Sequence, residues 1–168
     1  MNKILFILAA IVLVNCQENA TIETNFTGNE VTYPLFAGSQ YNVDGTVTFK
    51  ELKDGSALVF VLLSGTEGNV RHPVHLHLGD ISTSAADILA LLNPVEAKSG
   101  ASETVLKTFA DETLVTYREL VKLNASVKVH LAASGAERDI ILAGGNIGAN
   151  ASRDFSGGRL KVEVCKSE

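Results

Sequence analysis

The chain has 168 residues, of which 46% are hydrophobic and only 6% aromatic, and its formal net charge is −5. Once an export signal is set aside, this length suits one domain with a hydrophobic core and leaves little room for a second. The acidic balance excludes the basic surface of a nucleic-acid-binding protein and does not favour binding to anionic lipid.

The first sixteen residues have the features of an export signal. Lys3 supplies a positive charge, and residues 4–14 form an apolar run that is too short to span a bilayer comfortably. The run ends in Leu13-Val14-Asn15-Cys16, which resembles a bacterial lipobox except that Asn15 replaces a small residue. The resemblance implies that Cys16 is lipidated and anchors the protein in the bacterial cell envelope. An ordinary signal peptide and a buried N-terminal element are the alternatives.

The segment after Cys16 predicts a flexible tether over residues 17–32, because it is rich in Asn, Thr and Glu and has no apolar period. The β-rich domain is then predicted over residues 33–168. If Cys16 carries lipid, Cys165 is the only other thiol, so no internal disulfide can form. We interpret Cys165 as a half-buried strand residue or a loose thiol rather than a nucleophile.

Many short strands are predicted beyond the tether. Residues 46–52 alternate between apolar and polar, residues 57–64 read as a more buried strand, and Lys53-Asp54-Gly55-Ser56 between them predicts a hairpin turn. The other predicted strands cover residues 74–78, 105–110, 126–131, 139–143 and 159–164. Residues 85–92 predict a short helix ended by Asn93-Pro94, and residues 117–123 predict a strand or a helical turn. This succession indicates an all-β sandwich or small barrel.

Three of the four histidines lie close together in the segment from His72 to His77. On a strand, His75 and His77 share a face at a separation of about 6.5–7 Å, so their imidazoles can converge on one metal ion. The apolar residues Val74, Leu76 and Leu78 are predicted to occupy the opposite face.

The fourth histidine repeats this pattern in the segment Val127-Lys128-Val129-His130. The two valines share one face, and His130 points away from them together with Lys128. If this strand lies beside the first, three imidazoles meet outside the core in a site suited to copper or zinc. Exposed or hydrogen-bonded histidines without a metal are the alternative.

Several segments resemble the copper/zinc superoxide dismutase family. The run of residues 72–80 (His-Pro-Val-His-Leu-His-Leu-Gly-Asp) is similar to the family signature His-Gly-Phe-His-Val-His-x-Phe-Gly-Asp, with one residue fewer. Further similar segments follow in the family's order, namely Gly45-Thr46-Val47-Thr48-Phe49, Leu92-Asn93-Pro94, Val127-Lys128-Val129-His130 and Gly145-Asn146-Ile147-Gly148. The resemblance covers residues 44–164 and implies a Greek-key β-sandwich or flattened barrel of about eight strands, immunoglobulin-like in its architecture.

The resemblance also implies roles for individual residues. His75, His77 and His130 match three copper ligands, whereas His72 matches a structural histidine that bonds to the backbone. The histidine that bridges copper and zinc in the family falls at Leu91, and no zinc ligands remain, so the zinc site is predicted to be lost. Ser134 stands where the family has the aspartate that orients the ligands of both metals, and the family's disulfide is missing.

An active-site arginine draws superoxide towards copper in this family. Arg153 and Arg159 both follow the Gly145-Asn146 pair, and Gly158-Arg159-Leu160 is similar to the family's Gly-Arg-Leu. The resemblance therefore favours Arg159 as the catalytic arginine, with a solvent-facing strand residue as the alternative. With Leu91 in place of the bridging histidine, water has to supply the proton for the peroxide product.

The function predicted from the sequence is that of an envelope lipoprotein with a superoxide dismutase-like domain that binds one copper ion. Superoxide is the expected substrate if the domain is an enzyme. Two other classes stay open. One is a metal-free binding or structural module, for which the chordin-type domain, also β-rich with a short histidine-containing strand, provides a second resemblance. The other is a copper carrier without turnover.

Overall fold

The computed structural model describes residues 25–83 and 86–151, and within them it is an all-β fold with almost no helix. The eight strands are β1 (Phe26–Ala37), β2 (Asp44–Leu52), β3 (Ala57–Ser64), β4 (Arg71–Leu78), β5 (Ile88–Glu96), β6 (Ala101–Leu106), β7 (Asn124–His130) and β8 (Ile141–Gly148). One helical turn, α1 (Tyr117–Leu120), precedes β7, and a 3-10 turn (Ala136–Asp139) separates β7 from β8.

The strands are antiparallel and close into a barrel in the order β1-β2-β3-β6-β5-β4-β7-β8. Strands β1 to β3 form one run of neighbouring hairpins, and β4 to β6 form another in the reverse spatial order. This arrangement places β4 between β5 and β7, so Val74 lies directly opposite Val129 although 55 residues separate them in the chain. The topology therefore makes neighbours of the two histidine-containing strands.

The barrel interior is filled by the apolar residues that alternate along each strand. Val47, Phe49 and Leu76 are completely buried, and the rings of Tyr33 and Phe49 meet edge to face at 5.8 Å between centroids. Burial of this apolar surface is the main favourable contribution to folding. The predicted hairpin of β2 and β3 is confirmed, and its turn places Gly55 at a φ of 83°, which glycine adopts without strain.

Two predicted elements are wrong in type or position. The segment predicted as a helix over residues 85–92 contributes to strand β5, whose Ala90, Leu92 and Val95 point into the barrel. A short apolar run does not distinguish a helix from a buried strand by its period alone, and packing in the barrel decides the outcome. The strand predicted over residues 105–110 lies earlier in the chain, as β6 (Ala101–Leu106).

The alternative of a helical turn is the correct one at α1. Thr116 caps this turn by accepting a hydrogen bond from the Glu119 backbone N–H, and the Glu119 carboxylate accepts one from the Thr116 backbone N–H in return. This reciprocal capping box is a sequence signal, Thr followed three residues later by Glu, that identifies the start of a helix.

Strand β1 is not among the predicted strands, and β8 is longer than the sequence predicts. Strand β1 begins at Phe26, inside the segment predicted as a tether, and pairs with β2 although Thr27 to Glu30 are exposed. Strand β8 continues through Gly144 and Gly145. At Gly145, strand β1 passes so close that a Cβ atom would lie 2.2 Å from the Pro34 carbonyl oxygen. Glycine here permits close backbone approach rather than a turn.

Several predicted features lie outside the described residues, namely Cys16, Cys165, Arg153, Arg159 and the last predicted strand. The start of the predicted tether, before residue 25, also lies outside them. Among the helices of the described part, none is long and apolar enough to cross a membrane.

Candidate metal centre

The alternation along β4 and β7 places three histidines on the outer face of the barrel wall. Val74 and Leu76 on β4 are buried in the interior, as are Val127 and Val129 on β7. His75, His77 and His130 occupy the alternate positions, outside the hydrophobic core. The sequence predicts this division of faces, apart from Leu78, which is 45% exposed at the end of β4.

The three imidazoles form one cluster. One ligand nitrogen from each of His75, His77 and His130 lies within 4.8 Å of the other two. The ring centroids of His75 and His130 are 4.5 Å apart, and those of His75 and His77 are 5.7 Å apart. Nitrogens bound to one zinc-sized ion at about 2.0–2.1 Å lie at most roughly 4.2 Å apart. Small side-chain adjustments are enough to close the cluster around an ion, so these histidines could hold a metal.

The cluster lies outside the core but is largely shielded from solvent. His77 is 0% exposed and His130 is 3% exposed, while His75 is partly exposed. The segment after β4 covers His77, whose Nδ1 lies 3.0 Å from the Ala86 carbonyl oxygen. The 3-10 turn covers His130, whose Nδ1 lies 2.8 Å from the Arg138 carbonyl oxygen.

These backbone contacts fix which nitrogen faces the cluster. A carbonyl oxygen only accepts hydrogen bonds, so the Nδ1 atoms of His77 and His130 donate and carry the proton. Each ring then presents Nε2 as the basic nitrogen, in the arrangement by which outer-shell partners orient metal-binding histidines. The Nε2 of His130 and the Nδ1 of His75 are buried and have no hydrogen-bond partner. A buried polar atom without a partner is costly, and a metal ion would satisfy both.

Burial also keeps these imidazoles neutral. It lowers the pKa of His75 and His77 to about 4, with the positive charge of a protonated His130 contributing to both shifts. Burial lowers the pKa of His130 as well, against the raising effect of its bond to the Arg138 carbonyl. The neutral imidazole is the form that binds a metal ion, so at neutral pH the three rings are in the protonation state that metal binding requires.

His72, Leu91 and Ser134, to which the resemblance also gives roles, are not part of the cluster. The Nδ1 of His72 donates to the Leu131 carbonyl oxygen at 3.0 Å, which agrees with the structural role that the resemblance implies. Leu91 lies directly opposite His75 on β5 with 68% of its surface exposed, and it offers no ligand atom. Ser134 is exposed in the segment after β7.

A cleft of about 340 Å³ opens beside His75. Its walls are mainly apolar, and besides His75 they are formed by Arg71, Pro73, Val74, Leu91, Leu92, Pro94 and Ala133. The Nε of Arg71 forms an ion pair with Glu96 at 2.6 Å. The cleft gives the least buried of the three histidines a route to solvent.

A polar network holds the segment that covers the cluster. The Oδ1 of Asn146 accepts a hydrogen bond from the Ile81 backbone N–H, and its Nδ2 donates to Asp80, each at 2.8 Å. Sequence reasoning noted Asp80 and Asn146 only as parts of similar motifs and did not predict this contact. The sequence also does not predict that Lys128 is 0% exposed, because the polar face of a strand is ordinarily exposed to solvent.

The comparisons with known proteins add no family assignment, since no family model, no curated protein and no solved structure matches the chain. The fold and the site therefore define the class. This is an all-β protein, an eight-stranded closed barrel within the described residues, with three histidines on its outer wall that could hold a metal ion.

Proposed function

We propose that this protein is an exported, lipid-anchored copper-binding protein with a superoxide dismutase-like domain, in which His75, His77 and His130 bind one copper ion. The observation that carries this proposal is the pair of buried, unpartnered nitrogens, His75 Nδ1 and His130 Nε2, within one cluster of neutral imidazoles. Superoxide is the proposed substrate and the bacterial cell envelope the proposed location.

The strand order supports the superoxide dismutase-like fold. In a Greek key, three consecutive strands pair as hairpins and a fourth returns to lie beside the first of them. Strands β4, β5 and β6 pair in this way, and β7 returns to lie beside β4. This is the kind of topology that the resemblance implies, and it positions His130 beside His75.

The chemistry of the donor set favours copper. The cluster consists of three imidazoles, without a carboxylate or thiolate among the described residues, and imidazole suits copper, zinc, iron and nickel. Among divalent ions, a given nitrogen site binds copper most tightly. With Leu91 and Ser134 at the family positions of the bridging histidine and the aspartate, a second, zinc-binding set is not proposed.

The residues around the site would then have separate roles in dismutation. Copper supplies the one-electron redox chemistry by which two superoxide ions and two protons give dioxygen and hydrogen peroxide. His77 and His130 are held by the backbone, and the cleft beside His75 admits a small molecule. Arg159 is the proposed guide for the anion. The protons come from water, because Leu91 has none to give.

Copper carriage without turnover is the second candidate. The exposed, apolar Leu91 beside His75 favours it, because the site has no side-chain proton donor at this position. A carrier needs only reversible binding, which three imidazoles and an open cleft provide.

Superoxide consumption by copper-loaded protein tests the enzymatic proposal. We expect the wild type to remove superoxide faster than uncatalysed dismutation in buffer, and we expect the His130→Ala protein to lose that activity. His72→Gln, outside the cluster, is the matched control and should keep it. Turnover that survives His130→Ala would refute the site assignment. Bound copper without turnover would assign the protein as a carrier, and wild-type protein that retains no copper after dialysis would favour a metal-free module.

Fractionation of the producing cell tests the proposed anchor. We expect the wild-type chain in the membrane fraction and the Cys16→Ser chain in the soluble fraction, because lipidation requires the Cys16 thiol. A Cys16→Ser protein that still fractionates with membranes would contradict lipid anchoring at this residue.

A further inference from the structure

Lys128 is a fully buried lysine that belongs to the wall carrying the metal centre. It is 0% exposed, and lysine is among the residues least often fully buried. It lies two positions before His130 on β7 and directly opposite His75 on β4. Residues opposite each other in an antiparallel pair share a face, so the Lys128 side chain and the three imidazoles leave the barrel on the same side.

The surroundings of Lys128 keep it from solvent. On its other flank, β8 presents Gly144, which has no side chain to occupy the space next to it. Ile81, 0% exposed, packs over this position, and its Cδ1 lies 2.9 Å from where a Cβ of Gly144 would be. The network of Asp80 and Asn146 holds the covering segment in place. The lysine therefore lies in a layer between the barrel wall and this segment.

The positive charge of Lys128 reaches the histidines. After burial, it is among the causes that lower the pKa of both His77 and His130. Asp139 and Arg138, on the 3-10 turn, act on His130 with opposite signs. A charge that disfavours protons on these rings also disfavours positive charge on an ion bound to them, in proportion to the charge of the ion.

We propose that Lys128 sets the redox preference of the metal centre by favouring Cu(I) over Cu(II) at His75, His77 and His130. This inference rests on the proposed function, because it requires copper at the cluster. The fixed ammonium repels Cu(II) twice as strongly as Cu(I). Lys128 thus acts on the bound ion through its charge and is neither a ligand nor a catalytic residue.

The expected effect is a graded change in affinity. A unit charge that acts on the ion through an effective dielectric constant of about 20 changes affinity by on the order of tenfold per unit of metal charge. Removal of the charge should therefore raise Cu(II) affinity by about a hundredfold and Cu(I) affinity by about tenfold. The ratio of the two affinities then changes by about tenfold, which corresponds to about 59 mV for a one-electron couple.

Separate affinities for Cu(I) and Cu(II), measured by competition with a chelator of each ion, test the proposal. The Lys128→Met protein should bind both ions more tightly, with the larger gain for Cu(II), and Zn(II) should follow Cu(II). Lys128→Arg keeps the charge and should keep the wild-type ratio. Lys122→Met removes an exposed lysine on another part of the surface and should leave the ratio unchanged.

A purely structural role for Lys128 predicts a different result, since a damaged site loses affinity for both ions alike. An unchanged Cu(I) to Cu(II) ratio in Lys128→Met would overturn the inference. Lys128→Gln, which keeps a polar end group in the buried layer, is the second neutral variant if the methionine variant does not fold. Wild-type protein that binds neither ion would instead contradict the proposed function, so the two failures are distinguishable.

Discussion

A divalent metal ion should stabilise the wild-type protein against unfolding and should stabilise the His77→Ala protein far less. An ion that binds only the folded state stabilises it by about 4 kcal/mol when its free concentration is a thousand times the dissociation constant. Loss of one of three ligands should weaken binding by more than about a hundredfold, because even the outer-shell partners of ligands are commonly worth 10–100-fold. Thermal unfolding with and without Cu(II) or Zn(II) measures the difference.

His72→Gln is the matched control for this prediction. His72 is buried like His77, and its Nδ1 also bonds to a backbone carbonyl, but it lies outside the cluster. The substitution should lower the stability of the metal-free protein and preserve the gain on adding metal. An equal metal-induced gain in wild type and His77→Ala, or its loss in His72→Gln alone, would contradict the assignment of ligands.

The metal-free protein should lose stability as the pH falls from about 6.5 to about 4. His77 is fully buried and its pKa is lowered from 6.5 to about 4, so it stays neutral in the folded state over this range. The unfolded chain takes up a proton below pH 6.5, and acid therefore favours unfolding. A histidine with this shift contributes at most about 3 kcal/mol, present in full above pH 6.5 and lost by pH 4.

Chemical denaturation at several pH values measures this loss. His75, with a similar pKa but partial exposure, should add a smaller contribution of the same sign. The carboxyl groups with lowered pKa, such as Glu51, begin to lose their stabilising contribution at about pH 5, so the loss between pH 6.5 and about 5 reports the histidines. His77→Asn should flatten the dependence. A wild-type free energy of unfolding that is constant from pH 6.5 to 4 would contradict the burial of these rings as neutral groups.

Alternation along individual strands predicted the part of the fold that matters most for the site. Val74 and Leu76 on β4, and Val127 and Val129 on β7, have to face the interior, so His75, His77 and His130 have to face outward. Hydrophobic burial specifies this register strongly, because a slip of one residue would turn the valines out of the core and the histidines into it. The sequence therefore suffices to predict which face carries the imidazoles.

The features that the sequence did not predict depend on contacts with distant parts of the chain. Strand β1 is held by backbone pairing with β2 over exposed residues, so no apolar period marks its start. The glycines of β8 are explained by a neighbour distant in the chain, Pro34. The burial of Lys128 depends on the segment around Ile81 folding back over the wall, which local patterns do not encode.

We propose that one copper ion is bound by three imidazoles from two neighbouring strands. Electron paramagnetic resonance of protein dialysed with one equivalent of Cu(II), combined with pulsed methods that count coordinated imidazole nitrogens, tests it most directly. We expect one copper per chain with three imidazole ligands, reduced to two in His130→Ala. Copper bound by fewer than three imidazoles in the wild type, or removed entirely by dialysis, would contradict it.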